Sequence, residues 1–342
     1  MAKKNLVSNA KNPKVFGLIM VFEKQRAAMI RRKDLLWINL CFLIILSCTT
    51  PPPAQIKSPE NVSKRWPGIS GLPDLSGIEW ISGNYFLAVH DAKYPSEKGR
   101  PRVSILHHKN GGDDFTWKHM DVVWPDKKDP ASDLESIAHI PGTRSFLLCE
   151  SGNSGSRYTR IFHSVLDEDN TITIKEVMDW PVKIYNVEAS AVIKIKEQKY
   201  FVYAEREHGK TYTELKWAKM ELNPLRFGTF SSVKYTAGIN GRGYRPIVSL
   251  SATSDGDLYA VAAYDPNRED GPFRSYVSNI GQLRLTDKGS VVFIPENKFA
   301  KILEQEGNKI EGLTMVETKN KKQLFAGTDD EGLGATFKKI SN

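Results

Sequence analysis

The sequence predicts an all-β fold built from five copies of one unit, and three observations support this prediction. Short strands rich in β-branched and aromatic residues recur along the chain, with no convincing amphipathic helix between them. Each unit opens with a short strand, turns, and continues in a second strand that ends in polar residues. The third residues of successive openings are 59, 53, 61 and 62 residues apart. A period near 60 residues fits a four-stranded blade, so we expect a five-bladed β-propeller.

Each unit is recognised by its two strands. The openings are DLSGIEW (74–80), DLESIAH (133–139), NVEASAV (186–192), IVSLSAT (247–253) and KIEGLTM (309–315). The second strands are NYFLAVHD (84–91), SFLLCES (145–151), KYFVYAERE (199–207), DLYAVAAYD (257–265) and QLFAGTDDE (323–331). The fifth unit has room for only three strands. We therefore expect RWPGIS (65–70) to supply its outer strand, so that pairing of the N- and C-terminal strands closes the ring. A six-bladed propeller with one unrecognised unit is the alternative.

Residues 29–47 have the order of a bacterial secretory leader. Met29 is followed by the basic cluster Arg31–Lys33 and by an apolar run from Leu35 to Leu46. This run is about a dozen residues long, whereas a helix needs roughly 20 to span a bilayer. The leader ends in ILSC, which resembles the lipobox of bacterial lipoproteins. The resemblance implies that Cys48 is lipid-modified and is the first mature residue; an ordinary signal peptide is the alternative.

The chain is thus interpreted as four parts. Residues 1–28 are an over-extended start, 29–47 the lipoprotein signal peptide, 48–64 a lipidated tether rich in Pro and Ser, and 65–342 the propeller domain. We expect the protein in the bacterial cell envelope, held to a membrane by its lipid anchor and facing the periplasm or the exterior.

The net charge of the chain gives no support to nucleic-acid binding. The formal charge is +8, but residues 1–47 alone hold nine Lys and Arg against two acids. The remaining residues are close to neutral, so the propeller domain lacks the basic surface that nucleic acids require.

The aligned position of the five openings predicts a ring of oxygen ligands. In a propeller the first strand of each blade lines the central channel, so equivalent positions face one another around the axis. The ring consists of Ser76, Glu135, Glu188, Ser249 and Glu311. Its three buried carboxylates need compensation, by protonation, by backbone N–H donors or by a cation. Hydroxyls and carboxylates without His or Cys suit calcium rather than zinc. Glutamates that only join neighbouring blades by hydrogen bonds are the alternative.

These openings resemble two known families. The order Ser, Glu, Glu, Ser, Glu on DLSGIEW, VEASA, SLSATSDGDLYAVAAYD and KIEGLTM is similar to the five-bladed calcium-activated nucleotidases, the apyrases, in which such a ring holds a central calcium. DLESIA, FLLCESGN and IEGLT look like the bacterial propellers named for the esterase-like activity of phytase. Either resemblance implies a calcium-linked hydrolase of phosphoesters or esters. The loop HDAKYPSEKGRPR departs from the nucleotidase pattern, which puts nucleotide hydrolysis in doubt.

The ends of the second strands should cluster above this ring and form the active face. We expect Asp91, Glu150 and Glu205 as acid or base residues, and Arg157 and Arg206 as contacts to the phosphate of a small phosphoester ligand. Polar loop residues that only cap turns are the alternative for each. Two functions stay open: an envelope-anchored calcium-dependent hydrolase, and a noncatalytic binding or scaffold propeller in which calcium or a glutamate network is structural.

Overall fold

The computed structural model describes residues 65–342, except residues 110–113, 127–128, 154–156, 207–210, 238–242 and 341–342, and the side chains of 297–299. The chain divides into two units, Met1–Ser58 and Pro59–Asn342, and the described residues all belong to the second. The predictions for the leader, the tether and the lipid-modified Cys48 therefore lie outside the described residues. Within the described part of the chain, no helix is long and apolar enough to cross a membrane.

The described chain folds into five sheets, so the prediction of an all-β, five-bladed propeller is confirmed. Within each sheet the strands pair antiparallel with chain neighbours, with two exceptions among the described residues: β14 pairs antiparallel with β12, and β5 forms a short parallel pair with β9. The strands of the first two sheets are β1 (Gly77–Ser82), β2 (Tyr85–Val89), β3 (Val103–His108), β4 (Phe115–His119), β5 (Val122–Val123), β6 (Leu134–His139), β7 (Ser145–Glu150), β8 (Arg160–Leu166) and β9 (Ile172–Asp179).

The remaining three sheets continue the same order. Their strands are β10 (Val187–Ile195), β11 (Gln198–Glu205), β12 (Thr213–Glu221), β13 (Arg226–Phe227), β14 (Ser231–Tyr235), β15 (Tyr244–Ala252), β16 (Asp257–Tyr264), β17 (Arg274–Leu285), β18 (Val291–Glu306), β19 (Ile310–Thr318), β20 (Lys321–Thr328) and β21 (Phe337–Lys339). A 3-10 turn at Glu331–Leu333 lies between β20 and β21.

The first strands of the five sheets form a closed inner ring. In chain order β1 contacts β6, β6 contacts β10, β10 contacts β15 and β15 contacts β19, and β19 returns to contact β1. Glycine permits the closest approaches in this ring. A Cβ added at Gly77 would lie 3.2 Å from the Cα of Ser136, and one at Gly312 would lie 2.9 Å from the side chain of Ile78. The sixth blade of the alternative is absent from the described residues.

Apolar clusters fill the seams between neighbouring blades, which is where the burial of these strands stabilises the fold. At the seam between the fifth and first blades, the ring of Phe86 lies 4.9 Å from that of Phe325 and 4.8 Å from that of Phe337. Aromatic groups at this spacing add to the free energy gained by burial. The last blade is therefore joined to the first by a packed hydrophobic seam.

The N- and C-terminal segments meet at this last blade, although not as a regular strand pair. Ile69 N donates to Ala335 O at 2.9 Å, Trp66 N donates to Asn308 Oδ1 at 2.8 Å, and the Thr336 hydroxyl donates to Pro67 O. Residues 65–70 adopt no strand, so the fifth sheet keeps three strands. The presence of Pro67 explains this, because proline has no N–H to donate to a ladder.

Candidate metal and anion site at the channel mouth

The three predicted glutamates each occupy a β-bulge in the first strand of a blade. In the second blade Leu134 pairs with Glu150 and Ser136 pairs with Cys149, so Glu135 is the extra residue between them. The same register shift isolates Glu188 in β10 and Glu311 in β19. A bulge leaves its extra residue outside the ladder and re-aims the side chain. Here the bulges bring the three carboxylates to the central channel, close enough for Glu188 and Glu311 to raise the pKa of Glu135.

The fourth blade differs from the prediction, because Val248 rather than Ser249 aligns with Glu311. Ser249 pairs with Val261 as Gly312 pairs with Gly327. The apolar pattern agrees: Ile247 and Leu250 fill the seam before the fourth blade, and Ile310 and Leu313 fill the seam before the fifth. Ser249 therefore lies one residue beyond the ring position, and its assignment as a ligand is corrected. Residue spacing alone put Ser249 at the ring position. It does not show that the strand carries extra residues between Arg245 and Ser249.

The fourth blade contributes a cation, Arg245, to the centre of the channel. Its Nη1 lies 3.2 Å from Glu311 Oε1 and 3.9 Å from Glu188 Oε1, and its Nη2 lies 2.6 Å from Asp265 Oδ2. Lys309 adds a second cation, with Nζ at 2.9 Å from Asp329 Oδ2 and 3.7 Å from Glu311 Oε1. Burial raises the pKa of Glu311, and these two cations oppose that increase. Side-chain cations thus compensate this half of the ring, which the sequence analysis did not anticipate.

One carboxylate oxygen of Glu188 accepts hydrogen bonds, whereas the other has no partner among the described residues. Glu188 Oε1 accepts hydrogen bonds from Arg206 Nη1 and Asn186 Nδ2, both at 3.0 Å. Glu188 Oε2, Asn186 Oδ1 and the hydroxyl of Ser76 are buried without a hydrogen-bond partner among the described residues. Buried polar atoms normally have partners, so these three oxygens indicate a ligand or ordered water at the channel mouth.

On the side of the first and second blades the carboxylates have much less cationic compensation. Asp91, Asp133 and Glu135 each offer an oxygen, and these oxygens all lie within 4.8 Å of one another. The nearest cation, Lys93, has its Nζ 3.7 Å from Asp133 Oδ1 and is half exposed. Burial, followed by the neighbouring acids, raises the pKa of Glu135 well above its usual value and that of Asp91 to about 6. A cation between these oxygens would relieve their repulsion.

The donor set of this cluster, hereafter the acid triad (Asp91, Asp133 and Glu135), fits calcium. Calcium takes six to eight oxygen ligands in irregular geometry, and carboxylates with waters or ligand oxygens meet that demand. The ring predicted from the sequence does not fit as a whole, because Arg245 and Lys309 occupy the side of Glu311. Only Glu135 belongs to both sets, and the acid triad lies off the axis, near the first and second blades.

Two further carboxylates at the mouth have pKa values pushed in opposite directions. Burial, then the charges of Asp329, Glu331 and Asp91, raises the pKa of Asp74 to about 7. Asp329 is also buried, but Lys309 holds its pKa below the usual value. A carboxyl group that is partly protonated near neutral pH beside one that is ionised is an arrangement suited to proton transfer. Asp74 was not among the predicted residues, although the openings carry a signal: Asp74, Asp133, Asn186 and Lys309 all lie two residues before the ring position.

Glu150 and Glu205 are brought to the same face but are fully engaged in the scaffold. Glu150 accepts hydrogen bonds from Arg160 at 2.7 and 3.0 Å and from Ser132 N at 2.9 Å. Glu205 accepts from Lys216 Nζ at 2.7 Å and from Tyr185 N at 2.5 Å. In each case the carboxylate ties the chain before the first strand to the third strand of its own blade. These contacts favour a structural role over the acid or base role expected from the sequence.

His90 takes the equivalent place in the first blade. Its Nδ1 contacts Asp74 O at 2.7 Å and its Nε2 contacts the Ser104 hydroxyl at 2.8 Å. Burial lowers the pKa of His90 to about 4, so the imidazole is neutral at physiological pH. A side chain at or directly after the end of the second strand thus holds neighbouring chain segments together in three blades, through His90, Glu150 and Glu205. Asp91, the next residue, is the predicted acid or base that the structure leaves facing the channel mouth.

The two predicted arginines lie in different surroundings. Arg206 is largely buried and bound to Glu188, at the channel. Arg157 has 63% of its side chain exposed and pairs with Asp129 Oδ1 at 2.9 Å. Arg206 therefore belongs to the mouth, whereas Arg157 is bound at the rim to an acid outside the acid triad.

Comparison with solved structures gives matches of low sequence identity and low TM-score. No family model and no curated protein matches the chain. An α-L-arabinanase from Cellvibrio cellulosa matches with 15% identity and a TM-score of 0.48 over 78% of this chain and 91% of that chain. An endo-1,4-β-xylanase from Bacteroides thetaiotaomicron gives 11% and 0.46 over 78% and 89%. A GH43 endo-arabinanase from Bacillus licheniformis gives 10% and 0.43 over 80% and 96%. At these identities the likeness concerns the propeller fold alone.

Proposed function

We propose that the channel mouth binds a divalent cation, calcium by its donor chemistry, and uses this site to bind and hydrolyse a small phosphoester. The observation that carries the proposal is the acid triad, whose three oxygens converge within 4.8 Å at the mouth. The unpartnered buried oxygens of Ser76 and Glu188 support it independently, because they point to a ligand at the same mouth.

In this proposal Asp91, Asp133 and Glu135 hold the cation. A bound calcium supplies positive charge to an anionic oxygen of the ligand. Arg206 is one of the cations at the mouth: its Nη1 pairs with Glu188 at 3.0 Å, and the same guanidinium would contact a phosphate oxygen of the ligand. Asp91 then acts as a ligand rather than as the acid or base expected from the sequence.

Asp74 is the residue of this chain best suited to give a proton to the leaving oxygen. Its pKa, raised to about 7, keeps a substantial fraction of the carboxyl group protonated at neutral pH. One of its oxygens, Oδ1, is buried without a partner. Asp329 beside it stays ionised and favours the protonated form of Asp74 through repulsion.

The test is calorimetric titration of calcium into residues 59–342 after chelator treatment, with phosphate release measured from a panel of phosphoesters. We expect about one ion per chain, bound at least tenfold more weakly by Glu135→Gln and normally by Glu197→Gln. Glu197 is a matched control because 94% of its side chain is exposed. No calcium binding by a folded protein would contradict the metal site. Calcium binding without phosphate release from any compound would contradict the hydrolase.

A noncatalytic propeller is the second candidate, and one observation favours it. Arg245, Lys309 and Arg206 already neutralise Glu311 and Glu188, so the centre is held together without an ion. In that case the charge network stabilises the centre of the propeller, and the surface around it binds a ligand without turnover. Full thermal stability in the presence of a chelator, together with no turnover, would favour this candidate.

We further propose that Cys48 carries a lipid and anchors the protein in the bacterial envelope. The proposal rests on the leader and the ILSC sequence alone. Mass spectrometry of the chain expressed in a bacterium, with Cys48→Ala as the control, tests it. An unmodified cysteine or an uncut leader would contradict it.

A further inference from the structure

A cleft of about 510 Å³ opens between the fourth and fifth blades, beside the channel mouth. Tyr244 begins the first strand of the fourth blade and Tyr264 ends the second, so both lie on the face that carries the acid triad. Together with Pro272 and Phe273 they give the cleft a mainly apolar wall. A volume in this range accommodates a small ligand.

The rim of the cleft carries charged side chains of both signs, and their charges balance. Arg65 and Arg274 face Asp270 and Glu306 around it. Arg274 Nη2 pairs with Glu306 Oε1 at 2.8 Å, and Arg65 Nη2 donates to Leu333 O at 2.5 Å. Two cations against two anions give no preference for a charged ligand in the cleft itself. Alternating donors and acceptors above an apolar wall are instead suited to a neutral molecule with several hydroxyl groups.

The two tyrosines form one continuous aromatic surface on the wall of the cleft. The rings of Tyr244 and Tyr264 are 5.1 Å apart at their centroids and tilted by 50°, so they contact each other and a ligand lies against them, not between them. The C–H face of a saccharide ring can pack against such a surface while its hydroxyl groups reach the polar rim. Tyrosines also supply contact area at a low cost in conformational entropy.

We infer that this cleft is a saccharide-binding subsite. It adjoins the channel mouth through Lys309, whose Nζ lies over the Phe273 ring at 5.9 Å and pairs with Asp329 at 2.9 Å. Lys309 thus contacts both a wall residue of the cleft and an acid of the mouth, so a sugar that fills the cleft can extend a substituent toward the mouth. Sugar binding itself does not depend on the proposed function. The inference rests on that function in one respect, where it names the substrate class as a phosphorylated saccharide.

The test uses residues 59–342 with chelator present, so that it does not depend on the metal site. Saturation-transfer NMR and calorimetry measure binding of xylotriose, cellotriose, maltotriose, mannotriose and arabinotriose, with adenosine as the planar comparison. We expect at least one trisaccharide to bind, with affinity reduced tenfold or more in Tyr264→Ala and in Tyr244→Phe/Tyr264→Ala. Tyr85→Ala, at a tyrosine 45% exposed at the start of β2 and so on the opposite face, should leave binding unchanged.

Three results would overturn the inference: no trisaccharide bound by the folded protein, binding that survives both cleft variants, or tighter binding of adenosine than of any sugar. Calcium titration of the same protein after removal of the chelator separates the two proposals. Sugar binding with no calcium binding upholds the subsite and removes the phosphoester function, whereas the reverse pattern removes the subsite alone. If both bind, faster phosphate release from sugar phosphates than from glycerol phosphate supports the substrate class, and equal rates contradict it.

Discussion

Arg245 donates a hydrogen bond of 3.2 Å to Glu311 across the boundary between the fourth and fifth blades. The same guanidinium reaches Asp265 at 2.6 Å, so one cation holds carboxylates from two blades. Its side chain is 14% exposed, which places the pair in a medium where an unpaired charge is costly.

Replacing Arg245 with Met should strongly destabilise the protein. Removal of one partner from a buried ion pair costs about 3–5 kcal/mol, because the remaining charges are left without compensation. Chemical denaturation should show this loss, and Arg268→Met is the control because its pair with Asp270 is exposed. A loss below about 1 kcal/mol would mean that Lys309 alone compensates these acids.

Asp74→Asn should change how stability depends on pH. The folded pKa of Asp74 is raised to about 7 from 3.8, so the folded protein binds its proton more tightly than the unfolded chain does. The contribution of this group is therefore favourable below about pH 4 and is lost as the pH rises toward 7. The difference in free energy of unfolding between wild type and Asp74→Asn should shift in favour of the variant over this window. A difference independent of pH would contradict the raised pKa.

Glu150→Gln should lower the free energy of unfolding without abolishing turnover by the folded protein. Glu150 is fully buried and pairs with Arg160 at 2.7 Å, so the variant removes one of two carboxylates from this guanidinium and leaves Asp129, at 2.9 Å, as the other. The expected cost is about 1–3 kcal/mol. Glu221→Gln, in an exposed pair with Lys219, is the matched control. If Glu150→Gln keeps full stability and loses turnover, the catalytic role expected from the sequence is the better interpretation.

Phe337→Ala should weaken closure of the ring. Phe337 packs against Phe86 and Phe115 at the seam between the last and first blades, and removal of a buried Phe costs about 3–5 kcal/mol. Hydrogen exchange should accelerate first at the Ile69 amide and along β21. Uniform acceleration across all five blades would instead show that the seam unfolds only with the whole domain.

The repeat could be predicted from the sequence because it is a local pattern. Five openings at a regular spacing gave the blade number, and the three aligned glutamates do occupy equivalent bulge positions in their blades. The alternation of strands and turns needs no long-range information, which is why the fold was accessible at this level.

The chemistry of the channel was less predictable because it depends on contacts between blades. Arg245 belongs to no repeated motif, and only the folded ring places it near Glu311 and Glu188. Ser249 was placed at the ring position for a related reason, because the residue spacing between blades does not reveal an irregularity in strand pairing. Glu150 and Glu205 lie at the ends of second strands, as the sequence indicated, but their hydrogen bonds to residues of the same blade could not be inferred from the sequence.

Because Glu135, Glu188 and Glu311 occupy bulges, the side chains that line the channel can change without disturbing the strand pairing around them. Each of these residues is excluded from the regular pairing of its strand, so a different side chain there leaves the register of the neighbouring residues as it is. A propeller of this kind can acquire a new ion or ligand preference by single substitutions at three separate places. Its interior is thus open to selection and to engineering, one blade at a time.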